Sequence, residues 1–283
     1  MRHKILLPTD FSKNSIKAIN CARALFKNEH CNFYIMNVFS AVGTILENLL
    51  NMQPGNEFYQ TAKLNSEKGL AKVLDIITLS NKPNPKHHFE IISEFNDITE
   101  AVKHIVDKKD IEMIVMGTKG KTQSRQTAFG SNAINIMEKV HNCPVLVVPE
   151  ATKINSLKEV VFPTDYKIPF KRRELIHLIN IVKKTNANIA ILHVDQGKLT
   201  QQQVDNKNLL KEIFKGINYN FHNLSNNSIQ AAINNFVESR SSNMVAFINK
   251  KHAFFGSIFS NPLVKEITFH LKVPILALHD LSN

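Results

Sequence analysis

The chain is poor in cysteine, with only Cys21, Cys31 and Cys143 among 283 residues. An odd count without a CxxC pair excludes a disulfide framework and a thiolate zinc site, so the three are read as reduced thiols. Long apolar runs are missing as well. No stretch approaches the ~18 residues of a membrane span. The opening, MRHKILLPTDFS, has a three-residue apolar run before Pro8, too short for a signal peptide. These absences point to a cytoplasmic protein with no membrane partner. HExxH, GxSxG and paired-carboxylate arrangements are absent, so no catalytic set is assigned. The expectation is a protein that is not an enzyme. Glycine is scarce too, at nine residues, so any cluster of glycines carries information.

Apolar residues make up 43% and charged residues 21%, the range of a folded globular protein. The net charge of +11 raises the question of nucleic acid. Residues 1–150 hold 18 Lys+Arg against 15 Asp+Glu, and residues 151–283 hold 17 against 9. The basic residues are scattered and not interleaved with aromatics, which argues against a nucleic-acid partner.

The chain repeats itself. KILLPTDFSKNSIKAINCARAL from Lys4 matches KEVVFPTDYKIPFKRRELIHLI from Lys158, and Asp10 aligns with Asp165 at an offset of 155. FGSNAINIMEKVHNCPVLVV from Phe129 matches FSNPLVKEITFHLKVPILAL from Phe259, and Pro144 aligns with Pro274 at an offset of 130. The second copy is therefore 25 residues shorter. Val38 and Val194 still align at 156, so the loss falls after them. Two units follow, 1–150 and 151–283, with 150–157 as linker.

Each copy alternates short apolar runs with helical patterns. Strands are expected at 3–8, 33–38, 87–93, 111–117 and 144–149, and again near 159–163, 188–194, 218–224, 243–248 and 274–279. Helices fall between them, the first opened by Ser12 and the one after the third strand by Asp97. Such alternation forces parallel neighbours with right-handed crossovers. The fold class is therefore α/β: two tandem doubly wound five-stranded parallel-sheet domains. Ligands on such sheets sit at the carboxyl ends of the strands. The last strands, 145–148 and 275–278, are apolar edges expected to pair the copies about a pseudo-twofold axis.

Three of the nine glycines, Gly117, Gly120 and Gly130, fall in one stretch that leaves a buried strand and enters a helix. Glycines let backbone N–H groups approach a phosphate, and Gly130-Ser131 would stand at a positive helix N-terminus. A turn that merely uses glycine reads equally well from the glycines alone. Gly120-Lys121-Thr122 resembles the end of a P-loop, but Val115 occupies the place of its first glycine. No GxGxxG follows the first strand, which excludes a dinucleotide fingerprint.

Glycine, two residues, glycine, nine residues, then Gly-Ser resembles the ATP-binding signature of the universal stress protein family. Here it is Gly117, Gly120, Gly130 and Ser131, preceded by Pro8-Thr9-Asp10 after the first strand and Val38 at the end of the second. The chain is similar to that family over nearly its whole length, as a tandem form. The resemblance implies a bound adenine nucleotide, ATP, and leaves Mg2+ open as its companion. It implies adenine near the Val38 backbone and the Pro8–Asp10 turn, with Asp10 at the adenosine end. Met116, Gly117, Lys119, Gly120, Gly130, Ser131 and Asn132 would surround the phosphates.

The second copy departs from this pattern. At an offset of 130, Phe247, Lys250, Ser260, Asn261 and Pro262 replace Gly117, Gly120, Gly130, Ser131 and Asn132. The expectation is one ATP per chain, in the first copy, with Asp165 kept as a turn residue. Two functions remain: an ATP-binding stress or regulatory module with at most slow hydrolysis, and an interaction scaffold independent of nucleotide. Pairing of whole chains into a homodimer is left open. Residues 40–58, with Val42, Ile45, Leu46 and Leu49 at helical spacing, are expected to cover the site or to pack passively. His193 and His222 read as satisfied surface histidines.

Overall fold

The computed structural model describes residues 2–40, 57–79, 83–119, 129–153, 156–195, 197–225, 228–249 and 272–279. Most of the 40–58 segment, Gly120 and residues 250–271 lie outside them. The N-terminal half runs β1 (His3–Pro8), α1 (Lys13–Leu25), β2 (Cys31–Phe39), α2 (Glu57–Leu79), β3 (His87–Phe95), α3 (Ile98–Lys109), β4 (Met113–Gly117), α4 (Ser131–Lys139) and β5 (Val145–Val148). The C-terminal half runs β6 (Glu159–Pro163), α5 (Arg172–Thr185), β7 (Asn188–Asp195), α6 (Gln201–Ile213), β8 (Tyr219–Ser225), α7 (Ile229–Arg240), β9 (Met244–Asn249) and β10 (Ile275–His279).

The ten strands form one sheet in the order β3-β2-β1-β4-β5-β10-β9-β6-β7-β8. Within each half every pairing is parallel, and β5 meets β10 antiparallel. The α/β doubly wound class holds, with one difference. The two five-stranded sheets are joined edge to edge into a single mixed sheet. The joint is in register, with Leu146 opposite Leu276, Val145 opposite Ala277 and Val147 opposite Ile275. At the offset of 130, Leu146 and Leu276 are equivalent residues, so a local twofold passes between them. These strand segments are buried, which removes two apolar edges from solvent.

Alternation along the strands sends side chains to two faces. One core holds Ile5, Leu7, Phe33, Leu146, Phe162, Ile191 and Leu276 with the inner sides of α1, α2, α5 and α6. The other holds Leu6, Met36, Val147, Val161, Phe247 and Ile275 with α3, α4 and α7. Each core runs across the joint, so neither half has a separate interior. The helix starts follow their sequence signals. The Ser12 hydroxyl accepts from Ser15 N, and the Asp97 carboxylate accepts from Thr99 N and Glu100 N.

Strand registers refine the alignment of the halves. Ile5 and Val160 are equivalent and face Met113 and Met244, so β4 and β9 align at 131. Gly117 therefore corresponds to Ile248, not Phe247, and Met116 corresponds to Phe247. The constant offset of 130 fails because one residue is gained between β8 and α7 and lost again between β9 and β10. The large difference falls where the repeat placed it. Phe33 and Ile189 align at 156 and their β3 and β8 partners, Phe89 and Tyr219, at 130.

Candidate functional site

A cleft of about 280 Å³ opens at the carboxyl ends of β1, β2 and β4. Its floor begins with the turn after β1. Thr9 N donates to Met36 O at 2.8 Å, which lets β1 end beside β2. Phe11 N then donates to Thr9 Oγ1 at 3.0 Å, and Ser15 Oγ donates to Ser12 O at 2.9 Å. Thr9 Oγ1 and Ser15 Oγ lie 2.8 Å apart. Because the serine proton is already spent on Ser12 O, Thr9 is the donor between them. Phe11 takes a left-handed φ of 65° within this turn. Asp10 Oδ1 accepts from Ser12 N at 3.1 Å, closing a second small ring. Asn37 Nδ2 donates to Thr9 O at 2.7 Å and braces the turn from β2.

The opposite wall is the end of β4. Asn14, 5% exposed on α1, donates through Nδ2 to Val148 O at 2.9 Å. Its Oδ1 accepts from Lys119 N at 3.0 Å and from Thr118 Oγ1 at 3.2 Å. One side chain thus ties α1, β5 and the residues just past β4 together. Gly117 fits only because it lacks a side chain: a Cβ there would lie 2.7 Å from Asn14 Oδ1 and 3.1 Å from the Asn14 backbone carbon. Gly130 N donates to Thr118 O at 2.6 Å, which brings the start of α4 back to β4. Gly130 is the N-cap of α4 and supplies no side-chain cap. The first-turn residues Ser131 and Asn132 are exposed toward the cleft. The free N–H groups of a helix start carry positive potential.

Ten of the eleven residues assigned from sequence line this one cleft: Pro8, Thr9, Asp10, Val38, Met116, Gly117, Lys119, Gly130, Ser131 and Asn132. The eleventh, Gly120, lies outside the described residues. Sequence reasoning missed Ser15, Asn37, Ile98, Thr118 and Ala133, which also line it. It missed Asn14 as well, which shapes the wall from behind. The signal for Asn14 was present. It stands four residues before Ala18 and eight before Ala22, on the buried stripe of α1, where a polar residue needs a partner.

The C-terminal half repeats the turn and, among the described residues, differs at the wall. Thr164 N donates to Leu192 O at 2.9 Å, Tyr166 N to Thr164 Oγ1 at 3.0 Å, and Tyr166 has a φ of 57°. Asp165 Oδ1 accepts from Lys167 N at 3.0 Å, a turn role like that of Asp10. His193 takes the place of Asn37. It is 6% exposed rather than on the surface, and its Nδ1 donates to Thr164 O at 2.9 Å. The expectation of a surface residue fails because an imidazole here does the bracing done by the amide of Asn37. Its ring stacks on Tyr166 at 5.0 Å between centroids. His222 also lies inside its strand, with its ring 5.0 Å from Phe236. Its pKa is lowered, by burial first and by Arg240 second. The buried stripes of α1 and α5 align Asn14 with Glu174, which instead accepts from Lys171 N at 3.1 Å to cap α5. Ile248 stands where Gly117 stands.

A profile of the universal stress protein family matches residues 1–149. A universal stress protein of Methanocaldococcus jannaschii is 31% identical over 156 residues, 53% of this chain and 84% of that protein. The chain belongs to the universal stress protein family. Among solved structures, a universal stress protein from Archaeoglobus fulgidus superposes over 97% of this chain and 95% of its own, with a TM-score of 0.70 and 19% identity. A Pseudomonas aeruginosa protein described as a putative universal stress protein covers 98% of this chain and 93% of its own, at a TM-score of 0.60 and 10% identity. These two share the fold of the whole chain, including its second half. No helix among the described residues is long and apolar enough to cross a membrane.

Proposed function

We propose that this chain is a stress-related regulatory protein that binds ATP in its N-terminal unit, 1–150, and that 151–283 is a degenerate unit without a nucleotide. In this reading the two units form a covalent pseudo-dimer through β5 and β10. The observation that carries it is the convergence of Gly117, Gly130 and Ser131 with the Pro8–Asp10 turn on one cleft at the carboxyl ends of the strands. The residues fit the group. The missing side chain at Gly117 makes room for Asn14, which holds Thr118 and Lys119 at the rim of the cleft, and the α4 N-terminus with Lys119 suits phosphate charge. Asp10 and the Val38 backbone would hold the adenosine end. Gly130→Val puts a β-branched side chain at the cap that phosphates must approach. Calorimetry should find ATP binding to the wild type and none to this variant, at unchanged helix content. Equal affinity in both would remove the cleft as the site.

The scaffold reading keeps one supporting observation: the same turn persists in the half whose wall is lost, so the turn serves the fold by itself. Nucleotide carried through purification without added ATP favours the first reading. A protein that neither retains nor binds ATP favours the second.

A further inference from the structure

We propose that the chain has a second small-molecule site, for an anionic ligand with an apolar body, in the cavity between its two halves. This cavity measures about 310 Å³, slightly more than the cleft described above, and it lies apart from that cleft. Its walls come from three sources. The C-terminal end of α1 and the residues after it give Ala24 and Lys27, the C-terminal half gives Lys184 and Met244, and the segment joining β5 to β6 gives Thr152, Lys153 and Leu157. The joining segment exists only because two units are fused in one chain, so the site belongs to the tandem arrangement and not to either unit.

Two features specify the ligand. The first is charge. Lys27, Lys153 and Lys184 line the cavity against one carboxylate, Glu29. Lys184 already serves that carboxylate, at 3.7 Å, and donates to His3 Nε2 at 2.8 Å. Among the described residues, Lys27 and Lys153 have no acidic partner within 4.0 Å, so two positive charges remain for an incoming anion. The second is the hydroxyl of Thr152. This residue is 2% exposed and lines the cavity, yet its Oγ1 has no hydrogen-bond partner among the described residues. A buried hydroxyl left unpaired is costly, and a rotation of the Thr152 side chain on ligand binding would present it to an anion in the cavity. Ala24, Leu157, Met244 and Pro274 supply apolar surface for the body of the ligand. The head group that satisfies these donors is a carboxylate or a phosphate monoester.

The test uses the full chain at saturating ATP, with 1-naphthoate and 1-naphthyl phosphate as fluorescent probes of the two head groups. At least one should bind saturably at one per chain, and the better one identifies the head group. The double variant Lys27→Ala/Lys153→Ala should weaken that probe about tenfold or more, as expected for lost hydrogen bonds between charged groups. Ala24→Trp, at an exposed helix position, fills the cavity and should abolish binding. ATP affinity should be unchanged in both variants, which separates this site from the cleft. Should neither probe bind the wild type saturably, or should Ala24→Trp bind like the wild type, the proposal is overturned.

Discussion

The two halves make the same turn after their first strand and part at the fourth, where a glycine stands in one and a buried isoleucine in the other. Thr9 and Thr164 hold Phe11 and Tyr166 by the same 3.0 Å bond, and both of those residues sit at positive φ. Asp10 and Asp165 close the same small ring. At the fourth strand the halves part. Gly117 leaves space against Asn14, whereas Ile248 is a buried side chain and Glu174 has turned to its own helix cap. The Pro-Thr-Asp turn is therefore common to both halves, and the glycine with its asparagine sets the first half apart. A side chain at the glycine position is incompatible with the asparagine that ties α1 to the residues just past β4.

The largest expected effect lies in the C-terminal half. Ile248→Ala removes a nearly buried side chain, 6% exposed, and should cost about 2–5 kcal/mol of stability by chemical denaturation. ATP affinity should not change. If affinity falls with it, the halves are not separable in the way the comparison assumes.

His279 tests the joint between the halves. It is 4% exposed at the end of β10, 5.8 Å from His141 of the N-terminal half. Burial, then the nearby His141, lowers its pKa to about 4. The folded value lies below the unfolded one, near 6.5, so the neutral ring is favoured by folding. The stability is present in full above about pH 6.5 and is lost as pH falls toward 4, by about 3 kcal/mol at most. Denaturation from pH 7 to 4 should show this loss, and His279→Phe should flatten it. An equal slope in both proteins would assign the acid sensitivity elsewhere.

Gly117→Ile gives the first half the residue of the second. Its Cβ would stand 2.7 Å from Asn14 Oδ1, so Asn14 and the residues it ties must move. ATP affinity should fall at least about 100-fold, roughly 2.7 kcal/mol. A milder probe is Asn14→Ala, which leaves Lys119 N, Thr118 Oγ1 and Val148 O without this partner. It should weaken ATP about tenfold, roughly 1.4 kcal/mol, through the loop and not through contact with ligand. Asn14→Asp restores the acceptor and should recover part of the loss.

Much of this was legible in the sequence. Apolar runs and capping residues placed the ten strands to within two residues at each end, because strands buried on both faces read as short continuous runs. The repeat placed Val145–Val148 and Ile275–Leu278 as the remaining edges, and those two strands pair. The cleft was legible through its glycines and the turn. Its polar supports were not, because Asn14, Asn37 and Thr118 act through hydrogen bonds to distant backbone, such as Asn14 to Val148 across 134 residues. Spacing along the chain carries no trace of such a partner. The register at Ile248 was missed for another reason. A one-residue gain and a one-residue loss cancel in any alignment pinned at its two ends. The burial of His193 was hidden because its bond to Thr164 O depends on the neighbouring strand, not on the strand's own pattern.

The stoichiometry of ATP binding to the wild-type chain tests the contrast between the halves most directly. Calorimetric titration of ATP into the full chain should give one site per chain, with Gly117→Ile removing it and Ile248→Ala leaving it intact. Two equivalent sites per chain, or a single site that survives Gly117→Ile and disappears with Ile248→Ala, would contradict it.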